Sequence, residues 1–186
     1  APRPWGPLLS FNETAFSYTQ LPPEGSGPQG RGAGWWSRTA ENPDIFFTNL
    51  EDSTVTDRRQ IMDRSFIMED SWVTPEWEVP ENQRPNMAYT LPSEVAYAVS
   101  VEGDTLTAYF TRSIPIGIGP RGYGGLPGAI VYLKVEKDGR SREYTMQTMV
   151  PNPPEKTLVK PEDGDVIDRE EFEKLRTRRE EARARQ

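Results

Sequence analysis

The chain has no cysteine and no histidine. Those two absences exclude thiolate nucleophiles, disulfide cross-links, Ser-His-Asp triads and zinc sites built from the usual ligands. Positive charge is also in short supply. The formal net charge over 186 residues is −7, and the one arginine-dense run, at the C-terminus, is interleaved with glutamates, so a nucleic-acid backbone would be repelled. No nucleic-acid partner is expected. No apolar run approaches the roughly 20 residues that a membrane-spanning helix needs, so no membrane-spanning segment is expected either. Apolar residues make up only 34%, against 18 prolines and 15 glycines. That balance suits strands and long loops better than helices. The length fits one globular domain with a real core.

What the chain does have is a shaped, glycine-dense stretch, TRSIPIGIGPRGYGGLPGAIVY, at residues 111–132. Six glycines (Gly117, Gly119, Gly122, Gly124, Gly125, Gly128) and two prolines (Pro120, Pro127) stand between strand-forming flanks. Glycine permits positive φ and close backbone approach, whereas proline fixes φ, so the stretch reads as a rigid loop joining two strands. Gly117 to Gly122 matches G-x-G-x-x-G, but more glycines, a proline and a strand follow it. The helix N-terminus that would hold a pyrophosphate is missing, and no nucleotide cofactor is expected.

The remaining pattern is mainly β. Residues 1–20 read as a Pro-rich arm and the first strand or strands, and residues 21–34 as a Gly/Pro-rich loop. Residues 35–160 read as the β-rich body, and residues 161–186 as a capped C-terminal helix. Two hairpins stand out: 94–100 with 105–111, and 129–136 with 141–150, the latter around an Asp138-Gly139 turn. Residues 58–69 read as a strand pair or one bent strand, and Trp72 to Val79 as an edge strand broken at Pro75. In the helix, Asp168 is the N-cap with Glu171 at the capping-box spacing, and Phe172 and Leu175 form a short apolar stripe. The fold class expected is an antiparallel sheet, strongly curved or closed to a half-barrel, with a C-terminal α-helix.

Several residue groups invite chemistry. Trp35 and Trp36 are an adjacent aromatic pair, one ring of which would face outward on a strand, as a core edge or as a partner contact. Glu76, Glu78 and Glu81 lie near two tryptophans, yet paired-carboxylate hydrolysis needs two acids about 5 to 10 Å apart across a cleft. Residues 162–172 echo half of an EF-hand loop, but Val159 and Pro161 occupy the places of the first two carboxylates, so no metal site is expected. Met146 and Met149 read as core filling. Asn12-Glu13-Thr14 fits a glycan sequon, and Asp52-Ser53-Thr54 and Asp104-Thr105-Leu106 look like short O-glycan acceptors.

With these residues in view, the chain resembles the GLPGLI family of small exported Bacteroidota proteins. The signature stands here as Gly125-Leu126-Pro127-Gly128-Ala129-Ile130, with Ala129 in place of leucine. Upstream, Ala108-Tyr109-Phe110-Thr111, Ile114-Pro115-Ile116 and Gly119-Pro120 are similar to the family's aromatic-Phe-Thr, Ile-Pro and Gly-Pro elements. Members often carry a Gly-Tyr-x-Cys-x-Lys-Ala stretch that residues 87–98 lack. The resemblance implies a location in the periplasm or at the outer membrane, with no assigned enzymatic activity. It also implies an accessory role beside an outer-membrane complex of the TonB-dependent-transporter kind. A sequence beginning at Ala1 fits a removed signal peptide, or a sequence trimmed at that point.

The expectation is therefore a non-enzymatic exported binding or assembly protein with a protein partner and no cofactor. The candidate partner-contact or structural loop comprises Gly119, Pro120, Arg121, Tyr123, Gly125, Leu126, Pro127 and Gly128, with Trp35 and Trp36 as candidate contact aromatics. Two alternatives stay open, a soluble carrier of an apolar or peptide ligand in a β cavity, and a carboxylate-dependent hydrolase.

Overall fold

A computed structural model of the protein describes residues 6–21, 43–89, 91–151 and 158–185. The described residues up to Trp72 and from Leu158 onward form one compact unit, and those from Val73 to Pro151 form a second.

In the first unit, five strands follow one another as an antiparallel meander: β1 (Gly6–Phe11), β2 (Ala15–Leu21), β3 (Ile45–Asn49), β4 (Thr54–Ile61) and β5 (Arg64–Ser71). The turns are set by short polar side chains. At the β1–β2 turn the Asn12 carboxamide oxygen accepts from the backbone N–H groups of Thr14 and Ala15, at 2.8 and 2.9 Å, which closes the hairpin as an Asx turn. At the β4–β5 turn Met62 takes a left-handed backbone with φ 60°, letting Ile61 and Arg64 pair directly across it. A two-residue strand, β10 (Asp165–Val166), then adds to β5 in parallel and leads into the helix α1 (Arg169–Ala184).

One face of this sheet carries Phe16, Thr48, Val55, Asp57 and Met68, all buried. Helix α1 starts where the sequence places it: the Asp168 carboxylate accepts from the Glu171 N–H at 2.8 Å, a cap of about 1 kcal/mol. Phe172 is the buried anchor of the helix, packed edge-on against Phe66 with ring centroids 5.9 Å apart and against Met68. Burying such a ring contributes about 1.5–3 kcal/mol. Leu175, the other expected stripe residue, is exposed.

The second unit is a four-stranded antiparallel meander: β6 (Glu94–Val99), β7 (Thr105–Thr111), β8 (Ala129–Lys137) and β9 (Arg140–Thr145). Both expected hairpins are present, the second around Asp138 and Gly139, which take φ of 50° and 74°. Ala96, Ala108, Phe110, Leu126, Ile130 and Leu133 form the core of this unit, with Trp77, Val79, Tyr123, Val135 and Tyr144 packed against it. A β-bulge at Tyr109/Phe110 sets Phe110 opposite Ile130 and leaves Val131 as the extra residue of β8.

The fold is mainly β with a C-terminal helix, as expected, but it departs from the expected shape. There are two separate open sheets, not one strongly curved or half-barrel sheet, and β10 pairs in parallel. The break has a visible cause: Pro75, Pro80, Pro85 and Pro92 lie between β5 and β6, and each removes a donor that a continuing ladder would need. The expected edge strand around Trp77 shrinks to one bridge, in which Glu78 and Tyr97 exchange backbone hydrogen bonds of 2.7 and 2.9 Å. Strand β9 ends at Thr145, so Met146 and Met149 lie past it. Met149 is exposed, which removes core filling as its role.

Candidate functional site

The glycine-dense stretch leaves β7 at Thr111 and re-enters the sheet at Ala129, all within the second unit. Its entry is pinned by Arg112, whose Nε donates to the Glu94 carboxylate at 2.5 Å. Inside, the backbone folds on itself. Ala129 N–H donates to the Ile114 carbonyl at 2.9 Å, Gly125 N–H to Gly117 at 3.0 Å, and Ile130 N–H to Ile118 at 2.9 Å. The Trp77 indole N–H donates to the Gly124 carbonyl at 2.8 Å. Ile118 and Leu126 plug into the core below.

Of the eight candidate loop residues, Gly119, Leu126 and Gly128 are buried. Pro120 and Tyr123 are half-buried, and Arg121, Gly125 and Pro127 are exposed. Gly125 takes φ 88° and its missing side chain leaves room for Thr74, while Gly128 lies against the Thr111 carbonyl. Arg121 stands at the tip of a 3-10 turn (Pro120–Gly122) with φ 52°, a left-handed backbone held by the turn. Tyr123 lines the core with its ring, and burial, then the Asp104 charge, pushes its phenol up from the ordinary value. The loop is thus a braced connector, with Arg121 and Pro127 as its outward features. Trp35 and Trp36 lie outside the described residues. Glu76, Glu78 and Glu81 are all exposed. The Asp52-Ser53-Thr54 triplet forms a polar turn in which the Asp52 carboxylate accepts from the Thr54 N–H at 3.1 Å and from its hydroxyl at 2.5 Å.

A second feature of the same unit lies on the sheet face away from its core. The registers place Tyr109 opposite Tyr132, and Tyr89, from the segment before β6, lies over both. Tyr89 and Tyr132 stack at 5.1 Å and 18°, while Tyr109 sits 5.0 Å from Tyr89 and edge-on to Tyr132 at 5.9 Å. Tyr97 and Val99 of β6 share this outer face and are 46% and 64% exposed. Val101 in the β6–β7 turn and Met87 beside Tyr89 are exposed too. The face therefore sets an aromatic and apolar patch among the polar side chains of Thr107, Lys134, Glu136 and Glu143, which the same registers place on it. Sequence reasoning passed over it, although Tyr97, Tyr109 and Tyr132 sit at alternating positions of three recognised strands. The signal was there as outer-face tyrosines, two in the first hairpin (Tyr97 and Tyr109) and one in the second (Tyr132).

Desolvation first, then the hydrogen bond to Glu143, pushes the Tyr132 phenol up to about 12. Desolvation likewise raises Tyr89, with the neighbouring Tyr109 and the Glu143 charge adding to it. Tyr89 and Tyr132 are thus neutral at ordinary pH and offer hydroxyls to a ligand without charge. In the folded chain Tyr132 keeps its proton to higher pH than in the unfolded chain. Its contribution to stability is complete below pH 10 and is lost as pH rises from about 10 through about 12. Glu143→Gln should move the phenolate absorbance step of Tyr132 down toward the ordinary tyrosine value. An unchanged titration in that variant would refute the role given to Glu143.

Comparison with known proteins adds a family match and a fold. A family model described as "Protein of unknown function (Porph_ging)" matches residues 94–132, from the first residue of β6 through the loop into β8. The match is consistent with the Bacteroidota affinity of the signature. No curated protein matches the chain in sequence. Among solved structures, that of PNGF-II in space group C2 is similar with a TM-score of 0.59 and 10% identity, over 88% of this chain and 28% of that one. The structure of PNGF-II in space group P21 is similar with a TM-score of 0.57 and 11% identity, over 91% of this chain and 28% of that one. The chain thus spans little more than a quarter of the length of these structures, and at such identity the likeness is one of β fold alone.

Proposed function

We propose that the chain is a non-enzymatic binding or assembly protein, exported to the periplasm or outer membrane and accessory to an outer-membrane complex. The observation that carries the binding role is the outer face of the second unit's sheet. There Tyr97 and Val99 stand exposed beside the Tyr89–Tyr109–Tyr132 cluster. Exposed apolar surface of this kind, with charged residues such as Glu143 and Lys134 on the same face, suits a protein-protein contact. The braced loop contributes Arg121 and Pro127 beside the core of the same unit. The exported location rests on the resemblance carried by Gly125 to Ile130, and the lack of enzymatic activity on a chain with neither histidine nor cysteine. Neither sheet closes on itself, so no cavity of a closed barrel favours the carrier reading.

The test is made in native cells carrying a tagged chain. Fractionation should place it in the envelope, and native electrophoresis should show it in a large assembly containing an outer-membrane β-barrel. Tyr97→Ser with Val99→Ser should release it from that assembly while leaving its thermal unfolding unchanged, because both side chains already face solvent. Recovery in the cytoplasm, or as free monomer in the envelope, overturns the reading.

A further inference from the structure

Helix α1 carries a line of arginines whose first member is already at work. At about 100° per residue, residues 169, 172, 176, 179 and 183 fall within an arc of about 80°. Arg169 and Phe172 are the part of that line that docks on the sheet of the first unit. Arg169 donates through Nε and one terminal nitrogen to Asp70, at 2.8 and 2.6 Å, and through both terminal nitrogens to Asp57 at 3.2 Å. Beyond Phe172 the line runs out of sheet. Arg176 pairs with Glu173 of its own helix at 2.7 Å, and among the described residues neither Arg179 nor Arg183 has an ion-pair partner. Residues 176–185 contain five arginines and two glutamates in a chain whose net charge is −7. The helix dipole accounts for basic residues in the last turn, and Arg183 sits there, but Arg176 and Arg179 lie too far back.

We infer that Arg176, Arg179 and Arg183 form a docking line for an acidic helix of a partner protein, whose carboxylates would meet them as Asp70 and Asp57 meet Arg169. The spacing fits that occupant. Positions i, i+3 and i+7 repeat every 4.5 to 6 Å or so along a helix axis, and a second helix bearing glutamates at the same intervals matches them pair for pair. A bilayer is a poorer match, because Phe172 is buried and Leu175, a single exposed apolar side chain beside the line, makes no apolar face to insert. This surface goes beyond the tyrosine face and uses different residues, so either can fail alone.

The test uses the intact chain and a fluorescently labelled, alanine-based helical peptide with glutamates at i, i+3 and i+7, read by anisotropy at low salt. Arg179→Gln with Arg183→Gln should weaken binding by about tenfold or more. Arg178→Gln with Arg185→Gln makes the same charge change on the other side of the helix and should alter binding by no more than about twofold. All four side chains lie beyond the docked turns, and circular dichroism melts should coincide with the parent. Four results overturn the inference: no binding of the peptide, equal loss in both variants, or tighter arginine-dependent binding to phosphatidylglycerol vesicles or duplex DNA than to the peptide. The fourth is a concentration-dependent dimer of the chain alone that the first variant abolishes, which would make the occupant a second copy.

Discussion

Gly128→Ala should destabilise the second unit by about 3 kcal/mol or more, the upper end of what overpacking costs. A Cβ built at Gly128 would lie only 2.0 Å from the Thr111 carbonyl oxygen and 2.6 Å from its carbon, and both are backbone atoms that cannot swing aside. Relief would require β7 and β8 to separate at the point where Thr111 pairs with Ala129. That in turn pulls Leu126 and Ile130 out of the core they close. Gly139→Ala is the control: it has a positive φ of 74° but open space around it, so only the left-handed penalty of about 1–2 kcal/mol applies. Urea unfolding with amide exchange of β7 and β8 measures both. Equal midpoints for the two variants would mean that the loop gives way easily and that the bracing described above is unimportant.

The other large effect is expected at Arg169. An arginine at the first position of a helix opposes the macrodipole, so its placement needs a local reason. Asp57 supplies it. Its side chain is 2% exposed and is met by Arg59 Nε at 3.0 Å on one oxygen and by Arg169 on the other. Arg169→Ala leaves that second oxygen without its guanidinium and detaches Asp70 as well. The expected cost is about 3 kcal/mol, at the low end for breaking a buried pair because Arg59 remains and Arg169 is itself 40% exposed. Lys174→Ala, which removes only the exposed pair with Glu170, should cost about 0.3–0.5 kcal/mol. Denaturant midpoints compare the two. Amide exchange should show α1 opening before the β1–β5 ladder in the Arg169 variant. An Arg169 variant no weaker than the Lys174 one would sink the account.

Much of this arrangement was legible in residue order, and the reasons divide cleanly. The hairpins at 94–111 and 129–145 and the start of α1 are local: alternation, an Asp-Gly turn and an Asp cap all act over a few residues. The shape of the sheet is not local. Nothing in β5 announces that a two-residue strand about a hundred positions later will lie parallel to it, since Val166-Ile167 is too short an apolar run between acidic residues to read as a strand. The arginine line shows the same limit. Arg169 reads as one member of a charge-rich run until Asp57 and Asp70, far back in the chain, are seen beneath it. The tyrosine face was hidden for another reason. Alternation identified the strands of Tyr97, Tyr109 and Tyr132, but it does not say which face is core, and Tyr89, which joins the cluster, comes from a segment with no strand pattern at all.

The route of the chain has a consequence for the order of folding. The first unit is interrupted after Trp72 and resumed at Leu158, so the second unit is threaded between β5 and the elements that finish the first. During N-to-C synthesis or export, β1–β5 emerge without β10 or α1, and Phe66, Met68 and the Asp57 carboxylate await Arg169 and Phe172 from about a hundred residues further on. The inserted unit draws all its core from one continuous stretch and can finish first. A chain cut short before residue 165 would therefore keep the β1–β5 ladder and the second sheet, while exposing an apolar, acid-bearing surface that the cell's proteases and chaperones read as incomplete.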